Sequence, residues 1–231
     1  MAFKEGDFLQ VDYTVWDANG SAIIATTQEK VAKENKIFND KMKYGPALVI
    51  VGAGTTIKGL DRELRGMSAN ESKKFTLKPQ EAFGERNEEM VRVMPLSDFR
   101  EREIDPYPGM QINLDDMTAV VKSVSSGRVV VDANHPYAGK DVTYEVKVVK
   151  QLTADKDKVE AISDSYNVKP TTASVNSDKV EMFFNNAVAK NADYFVGRAT
   201  TIASIFMNLK NIKAVEVKEE YLRPAEKKEK E

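Results

Sequence analysis

The run from Asp132 to Lys140 constrains the fold most, because Pro136 and Gly139 interrupt regular structure immediately before an alternating segment. It reads Asp-Ala-Asn-His-Pro-Tyr-Ala-Gly-Lys and contains the only histidine of the chain, His135. Apolar residues then occupy every second position from Val142 to Val148, which predicts a strand with one buried face. The chain must therefore pass from a sharp turn directly into a half-buried sheet.

Three earlier segments predict further parts of the same sheet. Alternation predicts a strand over 8–16, and a short apolar run predicts another over 48–51. From residue 57 to residue 65, apolar side chains recur at helical spacing, and Thr55 or Thr56 can cap this helix. A short helix packed on antiparallel strands indicates an α+β fold.

The rest of the chain divides into two further parts. Prolines break residues 85–136 into short pieces, in which Ser125-Ser-Gly127 is predicted to connect a hairpin. Beyond residue 153, the pattern predicts a small α/β unit. Its elements are a strand over 179–184, an amphipathic helix over 190–211 and a strand over 214–222. The Lys and Glu residues at 226–231 predict a solvated, disordered tail.

Composition excludes several function classes. The 231 residues include 34 basic and 36 acidic side chains, a balance that does not indicate nucleic-acid binding. The absence of cysteine excludes disulfides and thiolate metal sites. No apolar run approaches the roughly 18 residues that span a bilayer, and the N-terminus has no signal-peptide core. We expect a cytoplasmic monomer with no cofactor and no nucleic-acid or membrane partner.

Three segments in this order, 44–52, 57–66 and 132–140, resemble the FKBP-type peptidyl-prolyl cis-trans isomerases. The resemblance is to the SlyD-like branch, which carries a second domain inserted in a flap loop, and it covers residues 3–152. A charged surface excursion at 28–43 and the C-terminal extension are similar to the longer archaeal members. The resemblance implies an isomerase of X-Pro bonds in unfolded proteins that also holds its clients as a chaperone.

The resemblance also implies which residues form the active site. The residues that match the catalytic positions of the family are Tyr13, Ile57, Leu60, Phe83 and Tyr144. Those that match its substrate-binding positions are Ala47, Val49, Thr56, Ile24 and Ala25. In the inserted segment, an adaptable apolar surface is expected to bind clients through Met90, Val91, Met94 and Phe99. Without the resemblance, the tyrosines and methionines would be read as core residues.

The implied chemistry needs no acid, base or nucleophile. The barrier of roughly 18–20 kcal/mol is the amide resonance that is lost as the X-Pro bond twists. An apolar pocket favours the twisted, less polar amide, and a backbone N–H fixes the flanking carbonyl. In the family, the N–H at the position of Ile57 has this role. The sequence carries no Ser/His/Asp, Cys/His or paired-carboxylate arrangement, which is consistent with such a mechanism.

Two positions depart from the family pattern. Ile24-Ala25 stands where the family usually has an apolar residue followed by aspartate, and Phe83 lacks the hydroxyl of the usual tyrosine. Each missing polar group is expected to lower activity by about tenfold. The alternative is a chaperone or binding module with a weakened or inactive pocket. A second alternative keeps only the fold, with an adaptor role in the C-terminal part.

The sequence thus predicts three parts. Residues 1–85 and 137–152 are expected to form an FKBP-like antiparallel half-barrel around one short helix. Residues 86–136 are expected to form the inserted, β-rich flap domain. Residues 153–224 are expected to form a C-terminal α/β domain, followed by the tail at 225–231. His135 lies at the junction of the insert and is predicted to hydrogen-bond the crossing backbone rather than a metal.

Overall fold

Largely antiparallel sheets with a few helices make this an α+β fold, as predicted. The computed structural model describes residues 2–114, 117–185 and 192–221. Its strands are β1 Phe8–Trp16, β2 Ile23–Thr26, β3 Ala47–Ile50, β4 Ser72–Leu77, β5 Val91–Pro95, β6 Gln111–Leu114, β7 Met117–Ser125, β8 Arg128–Asp132, β9 Val142–Leu152, β10 Thr172–Asn176, β11 Lys179–Phe184 and β12 Ala214–Glu219. Its helices are α1 Glu29–Glu34, α2 Lys58–Arg65, α3 Leu96–Arg100, α4 Asp155–Ser165 and α5 Ala192–Asn208.

The described residues fall into two compact units. The first comprises those within 1–14, 24–74 and 145–231, and the second comprises those within 15–23 and 75–144. Because the chain enters the second unit twice, neither unit is a single continuous segment.

A five-stranded sheet has the order β2-β1-β9-β4, with β3 also paired to β1. The β1–β3 pair is antiparallel, with Phe8 opposite Ile50 and Val11 opposite Ala47. Alternation along β1 buries Leu9 and Val11 completely, which explains why this segment forms a strand. The register fixes where the residues of β3 lie beside β1.

Helix α2 forms because its apolar residues lie on one face, where Leu60 and Leu64 are fully buried. The prediction of a threonine cap is wrong. Ile57 is the residue before the helix, and no side chain caps it. The Thr55 hydroxyl instead accepts a hydrogen bond from the backbone N–H of Ile50 at 3.0 Å, because the turn folds it back onto β3.

The C-terminal residues of the first unit form a three-stranded sheet with α4 and α5. β10 is antiparallel to β11, and β11 is parallel to β12. The buried cluster of this region extends to the N-terminal strands, since Phe8 and Ile50 pack with Leu152, Val159 and Ile162. The C-terminal segment is therefore packed against residues that the sequence assigned to the predicted half-barrel.

The second unit contains a four-stranded antiparallel sheet with the order β5-β8-β7-β6. The predicted hairpin is present as β7 and β8, with a register shift between Val121 and Ser123. Phe99 of α3 packs with Val129 and Val131 of β8 in a small core. The short edge strands β5 and β6 were not predicted, because proline and charged residues interrupt their alternation.

Predicted element boundaries differ in detail. The helix predicted over 190–211 is described as α5, Ala192–Asn208, and the strand predicted over 214–222 as β12, Ala214–Glu219. Residues 190, 191 and 222 and the predicted tail at 225–231 lie outside the described residues.

Candidate functional site

The start of α2 presents a backbone donor beside an apolar side chain. Ile57 has extended geometry, with φ −65° and ψ 148°, and its carbonyl accepts from the Asp61 N–H at 3.1 Å. Within the part of the chain that the structure describes, the N–H of Ile57 donates to no acceptor. Ile57 and Thr56 are half-buried, whereas Leu60 is only 1% exposed. This geometry leaves an N–H available to a ligand carbonyl.

Asp61 anchors the turn that leads into α2. Its carboxylate accepts a hydrogen bond from the backbone N–H of Gly52 at 2.7 Å. Its other oxygen accepts two hydrogen bonds from the Arg65 guanidinium, at 3.0 and 3.1 Å. Gly52 has φ +79°, in the left-handed region, where a side chain would be strained. The position of the Ile57 N–H is thus fixed by a hydrogen-bonded turn rather than by a mobile loop.

Tyr13 lies half-buried on β1, and burial raises the pKa of its phenol, which therefore stays protonated at neutral pH. Its backbone N–H donates to the Thr27 hydroxyl at 3.0 Å. Of the predicted substrate-binding residues, Ala47 is half-buried and lies opposite Val11, and Val49 is buried and lies opposite Leu9. The last two, Ile24 and Ala25, are half-buried on β2.

A cavity of about 430 Å³ in the first unit brings Tyr13 and Ala47 together. Its other walls are Gln10, Thr26, Thr27, Leu48, the loop residues 42–46, and Ala161, Asp164 and Ser165. An ion pair between Lys43 and Asp164 joins the loop to α4. Sequence patterns did not indicate this cavity, because the loop and α4 are more than 100 residues apart in the chain.

In the second unit lie two aromatic site residues predicted from the sequence, Phe83 and Tyr144, and each is stacked on another ring. The Phe83 ring stacks on the His135 ring, with centroids 4.2 Å apart and planes 9° from parallel. Tyr144 is buried, and its ring is stacked with that of Phe75, with centroids 6.1 Å apart. Phe75, which lies on β4, was not selected from the sequence, yet its ring packs against the candidate site residue Tyr144.

The prediction that His135 hydrogen-bonds the crossing backbone is wrong. Its Nδ1 accepts a hydrogen bond from the backbone N–H of Tyr137, two residues along, at 3.2 Å. The crossing bonds are made instead by the Gly139 N–H, which donates to the Gly84 carbonyl at 2.9 Å, and by the Asn134 side chain, which bonds the Asn87 backbone. Proline at position 136 favours a tight turn, which brings the Tyr137 N–H back onto the imidazole.

Asp132 forms a buried polar cluster where β8 ends. Its carboxylate, 3% exposed, accepts hydrogen bonds from the Asn134 backbone N–H at 3.0 Å and from its side-chain amide at 2.8 Å. The Arg86 guanidinium lies 2.9 Å away, and Lys122 lies 3.8 Å away. Burial alone would raise the pKa of Asp132, but the hydrogen bonds from Asn134 and Arg86 outweigh it and lower the pKa.

The predicted client-binding residues do not all lie together. Met94 and Phe99 line an apolar cavity of about 310 Å³ in the second unit. Its remaining walls are Asp98, Arg102, Ile104, Met110, Gln111, Ile112, Asn113 and Leu114. Met90, just before β5, and Val91, its first residue, are half-buried and are not part of this wall.

Among the described residues, no group of three or more His, Asp or Glu side chains is placed to hold a metal ion. Every described helix is too short or too polar to span a bilayer. The first unit offers an unused backbone N–H and a cavity with apolar walls, and the second unit offers stacked aromatic rings. Such groups can bind and orient an extended peptide without covalent chemistry.

Comparison with known proteins identifies two family matches. A family described as FKBP-type peptidyl-prolyl cis-trans isomerase matches residues 1–100. A family described as FKBP26, IF domain, matches residues 92–137.

Individual relatives agree with these matches. A short-type peptidyl-prolyl cis-trans isomerase of Methanocaldococcus jannaschii is 35% identical over 145 residues, which cover 63% of this chain and 91% of the relative. The FKBP-type isomerase SlyD of Vibrio cholerae is 34% identical over 146 residues, which cover 60% of this chain and 71% of the relative. A probable FKBP-type 16 kDa isomerase of Pseudomonas fluorescens is 31% identical over 109 residues, which cover 45% and 71%.

Proposed function

Because this chain belongs to the FKBP-type peptidyl-prolyl cis-trans isomerases, we propose that it isomerises X-Pro bonds of unfolded proteins in an apolar pocket and holds these clients through an inserted domain. The isomerase activity follows from the family. The pocket residues, the client-holding function and the domain boundaries are our proposals. No cofactor takes part in the proposed mechanism.

The observation that carries the pocket proposal is the unused N–H of Ile57 beside buried Leu60. An N–H that is held by a fixed turn can bind the carbonyl next to the X-Pro bond without reorganising during the reaction. The apolar side chains then disfavour the planar, more polar amide relative to the twisted one. In the first unit, the residues proposed to act on the bound peptide are Tyr13, Ile57 and Leu60, with Ala47, Val49, Thr56, Ile24 and Ala25 around them. In the second unit, the proposed residues are Phe83 and Tyr144.

Restoring a missing hydroxyl is expected to raise activity. We predict that Phe83→Tyr increases kcat/KM for a short X-Pro peptide about two- to tenfold, because it adds one hydrogen-bonding group to the proposed pocket. The measurement is a peptide isomerisation assay at pH 7.5. Phe38→Tyr, at an exposed ring in the first unit, is the matched control and should change nothing. A lower rate for Phe83→Tyr than for the unmodified protein would contradict the assigned role.

The cavity beside α3 supports the client-holding part of the proposal. Its walls include Met94, Met110 and Phe99, and flexible methionine side chains suit binding to varied apolar segments. We therefore assign Met94 and Phe99 to the client-binding surface, together with Met90, just before β5, and Val91, its first residue. The match of residues 92–137 to the IF-domain family supports an insert over 86–136. Residues 1–85 with 137–152, and 153–224, are proposed as the remaining two domains.

Replacing an apolar wall residue tests client binding. We predict that Met94→Gln reduces suppression of client aggregation at least threefold, because the amide is poorly accommodated in the apolar cavity. Aggregation of a denatured protein is followed by light scattering. Met117→Gln, at an exposed residue of β7 outside this cavity, should retain full suppression. Equal loss in both variants would indicate a general effect of methionine content instead.

A second candidate function is a chaperone with a weakened pocket, which Ala25 and Phe83 favour because both remove a polar group of the family pattern. A proline-limited refolding assay separates the two functions. Under the main proposal, the full chain accelerates the slow X-Pro phase, and Tyr13→Ala lowers that acceleration. If the full chain suppresses aggregation without accelerating refolding, the second candidate is correct.

A further inference from the structure

The only histidine of the chain covers one ring face of a proposed pocket residue. The His135 and Phe83 centroids are 4.2 Å apart, closer than the Phe83–Tyr137 and His135–Tyr137 pairs at 6.1 and 6.0 Å. The His135 and Phe83 planes are 9° from parallel, so the two rings are stacked. The stacked imidazole restricts rotation of the Phe83 phenyl ring about its side-chain χ angles. No step of the proposed isomerisation uses His135.

We propose that His135 is a positioning residue for isomerisation, because its neutral ring holds Phe83 in the orientation that the X-Pro pocket requires. This inference rests on the pocket role that is proposed for Phe83. His135 itself need not touch the substrate. It acts through the stacked ring, and its own orientation is set by the turn that contains Pro136.

The hydrogen bond of His135 indicates how its ring is held. Because the Tyr137 N–H donates to Nδ1, this nitrogen carries no proton, and the proton of the neutral ring lies on Nε2. A proton added at Nδ1 would face the Tyr137 N–H and break this bond. Acid is therefore expected to loosen the His135 ring and, with it, Phe83.

In the contacts described around the stack, no charged side chain forms an ion pair with His135. On the Phe83 side, Glu85 accepts a hydrogen bond from Gln80, and Arg86 pairs with Asp132. On the His135 side, Tyr137 is the titratable neighbour, and the Lys140 ammonium lies 5.7 Å from the centre of its ring. Burial lowers the pKa of His135, which agrees with a neutral ring at neutral pH.

The backbone holds both rings near each other. The Gly139 N–H donates to the Gly84 carbonyl at 2.9 Å, next to Phe83. Gly139 has φ +74°, and a Cβ at this position would lie 3.1 Å from the Arg86 Cβ. A bulkier residue there would push the two segments apart. The stack thus depends on a close backbone crossing, so that His135 and Phe83 cannot separate freely.

Two substitutions distinguish stacking from other roles of the histidine. His135→Ala removes the ring and should lower kcat/KM for a short X-Pro peptide about two- to tenfold. His135→Phe keeps a flat ring and should remain within about twofold of the unmodified protein. Phe195→Ala removes a different ring, which contacts Tyr194 edge-on in α5, and should leave kcat/KM unchanged. Thermal unfolding of each variant shows whether the chain remains folded at the assay temperature.

A pH profile adds a readout that a purely structural role would not change. Because the folded pKa is lowered, the stack is fully formed above the ordinary pKa of about 6.5 and weakens as the pH falls below it. The unmodified protein should lose kcat/KM as the pH falls from 7.5 to 5. His135→Phe should give a flat profile over this range, since the chain has no other histidine.

Several outcomes would overturn the inference. Unchanged kcat/KM in His135→Ala would show that Phe83 needs no support. Equal losses in the alanine and phenylalanine variants would show that the imidazole, not the stacked ring, matters. Failure of the pocket proposal is recognised separately, by Phe83→Ala: if that variant retains full kcat/KM, Phe83 is not part of the pocket. If Phe83→Ala loses activity and His135→Ala does not, only the positioning role is wrong.

Discussion

Asp132→Ala is expected to lower the free energy of unfolding of the second unit by about 2–3 kcal/mol. The substitution removes the acceptor of two hydrogen bonds from Asn134 and the partner of Arg86. Loss of one member of a buried ion pair can cost about 3–5 kcal/mol. We expect less here because the Arg86 side chain is 43% exposed and water can solvate it.

The loss of stability in Asp132→Ala should also affect the chain just before β5 and just after β8. Asn134 also accepts from the Asn87 N–H at 2.8 Å and donates to the Asn87 carbonyl at 2.8 Å. Asp132 holds Asn134 in place for these bonds. Removing the carboxylate is therefore expected to loosen the two chain segments where they run side by side.

Hydrogen exchange of the β7 and β8 amides measures this change, because it reports local opening of the sheet. Asp105→Ala, at an exposed acid in the same unit, is the matched control and should shift exchange by less than about 0.5 kcal/mol. Unchanged exchange in Asp132→Ala would refute the stabilising role of the cluster.

The same carboxylate gives a pH dependence. Because its folded pKa is lowered, its contribution to stability is present above the ordinary pKa of about 3.9 and is lost as the pH falls toward the folded pKa. Acid unfolding of the second unit should therefore begin below about pH 4. Asp132→Asn should reduce this part of the acid sensitivity.

Gly197→Ala is expected to destabilise the C-terminal part of the first unit by about 1–3 kcal/mol, although alanine is the better helix former. A Cβ at this position would lie 2.5 Å from the Val168 Cγ2 and 2.7 Å from the Tyr166 carbonyl oxygen. The carbonyl belongs to the backbone, so relief requires α5 to move away from the segment after α4. Helix propensity alone would predict stabilisation by about 1 kcal/mol.

The steric clash predicts that Gly197→Ala lowers stability, whereas helix propensity predicts that it raises stability. The sign of the measured change in stability therefore decides between them. Amide exchange in β11, which packs in the same buried cluster, reports the stability of this part of the chain. Ala199→Gly, on the exposed side of α5, measures the propensity term by itself and should cost about 1 kcal/mol. Stabilisation by Gly197→Ala would mean that the close approach of α5 is not required.

Strong periodicity explains which elements could be predicted. Strand β1 and helix α2 have buried faces of the right period, and the β7–β8 hairpin has a glycine turn between two apolar runs. Helix α4 was missed because it is mostly charged and buries few residues, among them Val159 and Ile162. Strand β10 was missed because its sequence, Thr-Ala-Ser-Val-Asn, is largely polar.

The candidate site shows a different limit. Residue types identified Tyr13, Ile57 and Phe83 only through resemblance to a family, because an apolar pocket without charged catalysts leaves no distinctive pattern. The partners of these groups, such as Phe75 beside Tyr144 and Asp132 beside Arg86, come from distant parts of the sequence. Neither the stack on Phe83 nor the Lys43–Asp164 pair could be derived from spacing alone.

The burial of Phe8 and Ile50 against Leu152 and α4 affects how this protein can fold during synthesis. A growing chain emerges from the ribosome N-terminus first, and domains generally fold as units. Here two of the earliest apolar side chains lack part of their final packing until residues beyond 150 have emerged. Phe8 and Ile50 must therefore remain without this packing until α4, which ends at Ser165 of the 231 residues, has been synthesised.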